Sequence, residues 1–195
     1  MQRNNIMLDI KQIIKDSAEV KLSMLNDCIN EIESAAIMMI DASEKGNKIL
    51  WCGNGGSAAD AQHMAAELMG GLRSHDRPAI ASLALTTDSS FITAWANDTD
   101  YESIFSRQIE ALGSEGDILV AISTSGNSVN VIRAIDAAKT NNLKIVILTG
   151  KTGGKMIDMG DTSICIPSND TQRIQEGHLL VEHILCESVE ASIRD

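Results

Sequence analysis

The sequence predicts an α/β fold, namely a three-layer doubly wound sandwich with a mainly parallel five-stranded sheet, preceded by N-terminal helices. Three observations predict it. The 195 residues favour a single domain. Five short apolar runs read as strands, and a segment long enough for a helix separates each from the next. Continuous apolar runs in this alternation are typical of a parallel sheet covered on both faces. The five runs are 48–52, 79–85, 118–122, 144–148 and 163–166.

The first 46 residues predict a helical segment. From Ile6 to about Glu44, apolar residues recur every three or four positions, which indicates two helices. Their face, rich in Met and Ile, exceeds what a small sheet needs covered, so we expect residues 1–46 to serve oligomerisation. Residues 47–195 then form the α/β core of one domain.

The core helices follow from the segments between the apolar runs. The longest closes the chain and begins with a plausible Thr or Asp cap. Ligands of such sheets bind at the carboxyl ends of the strands, so the loops that precede these helices are the candidate binding loops. The helices are predicted at 57–72, 91–96, 101–112, 129–139 and 171–193.

Composition excludes several classes of partner. The net charge of −11 disfavours binding to nucleic acid or to an anionic membrane surface. The four cysteines are far apart with no C-x-x-C pair, which fits a reducing cytoplasm. The N-terminus lacks the pattern of a signal peptide, and no run approaches the ~20 apolar residues of a membrane span. We therefore expect a soluble cytoplasmic protein.

A glycine loop follows the first strand. Residues 52–57, Cys-Gly-Asn-Gly-Gly-Ser, lead from a strand into a helix, where free amide N–H groups and the positive helix end favour an anion. The loop formally matches G-x-G-x-x-A. The acidic residue about 20 positions further on is missing, since Asp88 lies about 30 residues beyond the loop. We predict no nucleotide cofactor, and a tight turn without a ligand is the alternative.

A serine loop follows the third strand. Residues 123–128, Ser-Thr-Ser-Gly-Asn-Ser, place four hydroxyls before a helix and suit a phosphate monoester. Helix capping alone is the alternative interpretation. Two such loops at the same sheet edge could converge on one polar ligand. The segment 150–155 resembles a nucleotide loop, but Ile145 stands where the P-loop pattern needs glycine.

Two helices carry candidate acid–base or metal-binding groups. Asp60, His63 and Glu67 fall within about 60° of one another on the helix after the glycine loop. A solvated surface helix also produces such a pattern. On the closing helix, both Gln175 with His183 and His178 with Glu182 are candidate pairs, and spacing does not choose between them. These groups include the N and O donors that zinc prefers.

Three segments resemble the bacterial phosphoheptose isomerases of the sugar isomerase (SIS) fold. They are residues 53–63 with Glu67, residues 123–128, and residues 173–178 with His183. The resemblance extends over nearly the whole chain. It implies a cytoplasmic homotetramer with active sites at subunit interfaces. It also implies conversion of D-sedoheptulose 7-phosphate to D-glycero-D-manno-heptose 7-phosphate through an enediol(ate), the first step toward ADP- or GDP-heptose precursors and lipopolysaccharide or other glycoheptose.

The resemblance also implies roles for individual residues. Glu67 is the catalytic base and His183 the acid. One Zn²⁺ per subunit is expected on His63, Glu67, Gln175 and His183. Serines and Thr124 of the serine loop cradle the phosphate. The full expected substrate-binding set is Asn54, Gly55, Gly56, Ser57, Asp60, Glu67, Asn97, Asp98, Ser123, Thr124, Ser125, Ser128 and Gln175.

The role of the expected metal has two interpretations. Zinc lowers the basicity of a bound carboxylate or imidazole, so the metal is either partly displaced by substrate or mainly structural.

The alternative function is that of a non-catalytic SIS protein, either a replication-initiator-associating protein or a sugar-phosphate sensor. The initiator-associating group lacks residues equivalent to Glu67 and His183. Both are present here, which favours the enzyme.

Overall fold

The structure is a computed structural model that describes residues 8–193. The predicted alternation of strands and helices is confirmed. The strands are β1 (Ile49–Cys52), β2 (Ser82–Ala84), β3 (Ile118–Ser123), β4 (Lys144–Gly150) and β5 (Thr162–Ile166). The helices are α1 (Ile10–Asp27), α2 (Ile29–Glu44), α3 (Gly56–Gly70), α4 (Ser89–Asp98), α5 (Ile104–Leu112), α6 (Val129–Thr140) and α7 (Thr171–Ser192), with 3₁₀ turns at Tyr101–Ser103 and Gly154–Met156.

The five described strands form one sheet in the order β2-β1-β3-β4-β5. Every pairing among them is parallel, so the expectation of a mainly parallel sheet holds throughout. After β1 the chain moves outward to β2 and then returns to place β3 on the other side of β1. This reversal makes the carboxyl ends of β1 and β3 a topological switch point, where open α/β sheets bind ligands.

Alternate residues of each central strand enter two different cores. Trp51 and Val120 pack against α2, α3 and α7 on one face of the sheet, whereas Leu50 and Leu119 pack against α5 and α6 on the other. This alternation follows from the two-residue period of a strand. The strands are apolar throughout because both faces are covered.

Element boundaries differ from the prediction where local geometry intervenes. The run 79–85 contributes only Ser82–Ala84 to the sheet, since β2 is an edge strand that pairs with β1 alone. The predicted helix 101–112 opens as a 3₁₀ turn, with the Asp100 carboxylate accepting from the Ser103 amide at 2.7 Å. The closing helix begins as expected, with Asp170 accepting from the Gln172 amide at 2.8 Å.

The two predicted N-terminal helices are present as α1 and α2. Asp9 caps α1 by accepting from the Gln12 amide at 3.1 Å. The predicted start at Ile6 lies outside the described residues. Both helices contact α7 and β5, so they cover one face of the sheet. Within residues 8–193, no helix is both long and apolar enough to cross a membrane.

Candidate active site

The glycine loop lies at the switch point, between β1 and α3. Gly55 has φ +58° and stands at the N-cap of α3, a conformation that favours glycine. A Cβ on Gly53 would lie 2.7 Å from Ser57 Cβ, so the loop packs closely on the first turn of the helix. Ser57 is itself 2% exposed. The loop therefore offers ligands its backbone and the Asn54 side chain, while the Ser57 side chain is buried.

The serine loop lies beside it, between β3 and α6. Ser123 Oγ and Ser128 Oγ are 3.0 Å apart, and the Asn127 amide donates to Ser125 Oγ at 3.2 Å. Gly126 has φ +63°, and a Cβ there would lie 2.0 Å from Gly153 O. The glycines of the segment 150–155 thus support the serine loop. Thr124 and Ser125 line a polar cavity of about 280 Å³.

The polar faces of α3 and α7 meet. His63 Nε2 and Glu67 Oε1 are 3.0 Å apart, and the imidazole of His183 lies edge-on to that of His63, with centroids 5.1 Å apart. His183 Nδ1 lies 2.9 Å from Leu179 O. Because a carbonyl only accepts, Nδ1 carries the proton in this bond. Nε2 is then the nitrogen left to bind a ligand or exchange a proton.

Gln175 lies two turns before His183 on α7 and packs on the glycine loop. A Cβ on Gly56 would lie 2.5 Å from Gln175 Nε2. Gly56 therefore keeps room for the amide of Gln175 beside the start of α3. His63, Glu67, Gln175 and His183 thus lie along the α3–α7 contact, with the glycine loop at one end.

The other candidate pair on α7 is buried. His178 and Glu182 are both 0% exposed. His178 Nε2 donates to Thr149 O at 3.1 Å, and burial lowers the pKa of this imidazole to about 4. Burial raises the pKa of Glu182 well above its usual value, and the charge of Asp60 adds to the effect. These two residues belong to the interior.

Asp60 lies near the histidines, whereas Asn97 and Asp98 bond to each other at the end of α4. Burial raises the pKa of Asp60, and the nearby His63 and His183 partly offset this effect. Asn97 and Asp98 end α4, where Asn97 Nδ2 donates to Asp98 Oδ1 at 2.8 Å. Within residues 8–193, no hydrogen bond or ion pair joins these two residues to α3 or α7.

The donors expected to hold zinc are partly assembled. Two imidazoles, a carboxylate and an amide oxygen are ligand types that zinc accepts. In this structure Glu67 Oε1 and His63 Nε2 bond to each other at 3.0 Å. The described residues contain no group of three or more His, Cys, Asp or Glu side chains arranged to hold a metal ion. A metal ion on both residues would take the place of the hydrogen bond between His63 Nε2 and Glu67 Oε1.

Two residues near the site were absent from the sequence-based set. Asn130 and Tyr101 both hydrogen-bond to Asn54. Asn130 follows the serine loop by two positions, and its polar side chain in an otherwise apolar helix start was the one available signal. Tyr101 is the single tyrosine of the chain.

Comparison with known proteins gives the class. A model of the SIS domain matches residues 14–150. The phosphoheptose isomerase of Shewanella oneidensis is 51% identical over 187 residues, which is 94% of each chain. The structure of a phosphoheptose isomerase from Francisella tularensis superposes with a TM-score of 0.90 at 36% identity, covering 95% of this chain and 100% of that one. The enzyme from Neisseria gonorrhoeae gives 0.86 at 41% identity, covering 93% and 97%.

These similarities assign the chain to a family and to a group of enzymes within it. It belongs to the SIS domain family. Within that family it belongs with the phosphoheptose isomerases, and it is an isomerase. The expectation of an enzyme rather than a non-catalytic SIS protein is thereby confirmed.

Proposed function

We propose that this isomerase converts D-sedoheptulose 7-phosphate to D-glycero-D-manno-heptose 7-phosphate through an enediol(ate). The observation that carries the proposal is the contact between α3 and α7, where Glu67 bonds to His63 and His63 packs on His183. Interconversion of a ketose and an aldose needs a base beside the carbonyl, an acid at the carbonyl oxygen and a site for developing negative charge. The relatives named phosphoheptose isomerase support this choice of substrate.

In this proposal Glu67 removes the proton from the carbon next to the carbonyl and returns it to the neighbouring carbon. Its hydrogen bond to His63 engages Oε1 and orients the carboxylate. When His183 carries a proton on Nε2 as well as on Nδ1, which bonds to Leu179 O, it donates the Nε2 proton to the carbonyl oxygen and takes back the proton of the neighbouring hydroxyl as the aldose forms. Gln175, Asp60, Asn97 and Asp98 orient the sugar or its acid–base partners.

The phosphate is proposed to bind the serine loop. The four hydroxyls of residues 123–128 and the amide N–H groups at the start of α6 supply donors and a positive helix end. The glycine loop at the adjacent strand end would contact the sugar. Because β1 and β3 are neighbours, one substrate molecule can bind its phosphate in the serine loop while its sugar contacts the glycine loop.

We also propose one zinc ion per subunit, held by His63, Glu67, Gln175 and His183. The support is the donor set and the adjacency of the two imidazoles. When bound, the ion would supply positive charge for a substrate oxygen. Coordination would replace the hydrogen bond between His63 and Glu67, so Glu67 and His183 would act as base and acid when the substrate has partly displaced the ion from them.

The assembly is proposed to be a homotetramer with α1 in the interface and the active sites between subunits. Ile10, Ile14, Leu22 and Leu25 are 62% to 64% exposed, and their spacing places them on one side of α1. A second copy of this chain offers the matching apolar face. Arg173 Nη1 donates to Ile13 O at 3.0 Å, which ties α1 to the helix that carries Gln175 and His183.

The proposed location is the cytoplasm, on the argument from cysteine spacing. The product would feed heptose precursors of lipopolysaccharide or another glycoconjugate.

The test of the proposed activity is to incubate the purified protein with sedoheptulose 7-phosphate and to separate the sugar phosphates by anion-exchange chromatography. Formation of an aldoheptose phosphate supports the proposal. Recovery of unchanged ketose, while sedoheptulose 7-phosphate still binds, would reject it.

A further inference from the structure

Three side chains from separate parts of the chain form one hydrogen-bonded cluster. Asn54 Nδ2 donates to Asn130 Oδ1 at 2.9 Å, and Asn130 Nδ2 donates back to Asn54 Oδ1 at 2.8 Å. The Tyr101 hydroxyl donates to the same Asn54 Oδ1 at 2.9 Å. The two amides thus form a closed reciprocal pair, which the tyrosine reinforces from one side.

This cluster connects the two loops of the active site. Asn54 belongs to the glycine loop after β1, whereas Asn130 lies in the first turn of α6, directly after the serine loop. Asn130 is 4% exposed, so the pair is shielded from water on that side. Hydrogen bonds in such surroundings hold their partners in one geometry. The reciprocal pair therefore fixes the glycine loop relative to the serine loop.

The hydrogen bonds of the Asn54 side chain use all but one of its donor and acceptor positions. A carboxamide oxygen has two acceptor positions, and the nitrogen has two N–H groups. Asn130 and Tyr101 use both acceptor positions of Asn54 Oδ1, and Asn130 takes one N–H. One N–H remains. Asn54 lines a cavity of about 180 Å³ together with Gly55, Thr86 and Tyr101, and its second N–H is the side-chain donor it can offer to a ligand.

We infer that Asn130 and Tyr101 are positioning residues, which fix the amide of Asn54 so that it presents an N–H, and not its oxygen, to an oxygen atom of the substrate. The inference rests on the proposed function, in which Asn54 contacts the sugar. It assigns a task to two residues that act through Asn54 and touch neither the base nor the acid. If Asn130 is removed, Asn54 becomes free to rotate and to present its oxygen, whereas loss of the Tyr101 hydroxyl leaves the reciprocal pair and holds Asn54 less firmly.

The test is steady-state kinetics of the purified protein with sedoheptulose 7-phosphate. We expect Asn130→Ala to raise KM about tenfold with little change in kcat, because a contact made equally in the ground state and the transition state affects KM. Asn141→Ala is the matched control. Asn141 caps the other end of α6, and its amide also makes a structural bond, to Ile109 O at 3.1 Å. This control should keep the wild-type KM.

The decisive comparison uses an Asn54→Ala background. If Asn130 acts through Asn54, then Asn130→Ala should change KM less than twofold once Asn54 is absent. Tyr101→Phe removes only the hydroxyl of an exposed side chain, so it keeps the test open even if Asn130→Ala does not fold. We expect it to raise KM about threefold in the wild-type background and to leave KM unchanged in Asn54→Ala.

The outcomes separate this inference from the proposed function. Three results would overturn the inference while the enzyme stays active. The first is an unchanged KM in Tyr101→Phe, and the second is a KM in Asn130→Ala no higher than in Asn141→Ala. The third is an effect of Asn130→Ala on KM that is as large in the Asn54→Ala background as in the wild type. A wild-type protein that neither turns over nor binds sedoheptulose 7-phosphate in calorimetry would overturn the proposed function, and this inference with it. If the sugar binds without turnover, the same comparisons are made with Kd.

Discussion

The imidazole rings of His63 and His183 lie edge to face, with centroids 5.1 Å apart and planes at 80°. One ring stands on α3 and the other on α7, so the packing of these two helices brings together groups that the sequence separates widely. Glu67 joins this contact through its bond to His63. The proposed acid, base and metal ligands all depend on that helix pair.

Glu67→Gln should abolish isomerase activity and leave the fold intact. The amide keeps the size of the side chain but cannot accept a proton from carbon, and removal of a general base lowers kcat by about 10²- to 10⁴-fold. Glu110→Gln is the control, because Glu110 is an exposed carboxylate that pairs with Arg107 at 2.9 Å. Turnover and circular dichroism of both variants check this. Near-normal turnover of Glu67→Gln would remove Glu67 from the mechanism.

Metal content should depend on His63 and His183 but not on His75. We expect the purified protein to contain about one zinc per chain by plasma mass spectrometry, and His63→Ala and His183→Ala to lose it. His75 is the control, since it is an exposed histidine whose ring bonds to Gly70 O at 3.1 Å. Equal zinc in all three variants would show that the metal is held elsewhere.

Glutamate substitutions on the exposed apolar side of α1 should dissociate the tetramer. Ile14→Glu combined with Leu25→Glu places two charges on the exposed apolar side of this helix, and we expect light scattering to change from the tetramer mass to that of a smaller species. Leu112→Glu alters an exposed leucine on α5 and should leave the tetramer unchanged. A wild-type protein that is already a monomer at micromolar concentration would contradict the proposed assembly.

The buried Glu190 should contribute far more to stability than its neighbour Glu187. Glu190 accepts from the amides of Leu72, Arg73 and Ser74 and pairs with the buried Arg77 at 3.0 Å. Breaking such a pair costs about 3–5 kcal/mol, whereas an exposed pair contributes about 0–1 kcal/mol. Urea unfolding should therefore show a large loss for Glu190→Gln. Glu187→Gln, which loses an exposed pair with Arg73, should lose little.

The buried imidazole of His178 should make the protein less stable in mild acid. Its pKa is about 4 in the folded protein, against 6.5 as the ordinary value. Between these values the unfolded chain binds a proton that the folded chain does not, so this contribution is complete above pH 6.5 and decreases as the pH falls toward 4. The full effect is about 3 kcal/mol. The difference in unfolding free energy between wild type and His178→Gln should shrink over this range, and a constant difference would refute the assignment.

Local patterns in the sequence predicted most of the fold. Apolar runs and helical spacing located all five strands and the helices, because a parallel sheet covered on both faces requires that pattern. The exact length of β2 was not predictable, since it depends on which strand pairs with it. The switch point also came only with the strand order.

The site was predictable in its loops but not in its partners. Spacing on α7 left Gln175 with His183 and His178 with Glu182 equally eligible, because helical periodicity defines faces and not what each face meets. The packing of α7 on α3 buries one pair and brings the other to His63 and Gly56. The bond between Asn54 and Asn130 likewise arises from the adjacency of β1 and β3.

Solvent exchange at the reacting carbons tests whether Glu67 transfers the proton. Sedoheptulose 7-phosphate is incubated with the protein in D₂O and followed by NMR. We expect an aldoheptose phosphate carrying solvent deuterium at C2 with the wild-type protein, and neither product nor exchange with Glu67→Gln. Two results would contradict a transfer in which Glu67 holds the proton and exchanges it with solvent. One is product formation with no deuterium in either sugar, and the other is as much exchange with Glu67→Gln as with the wild type.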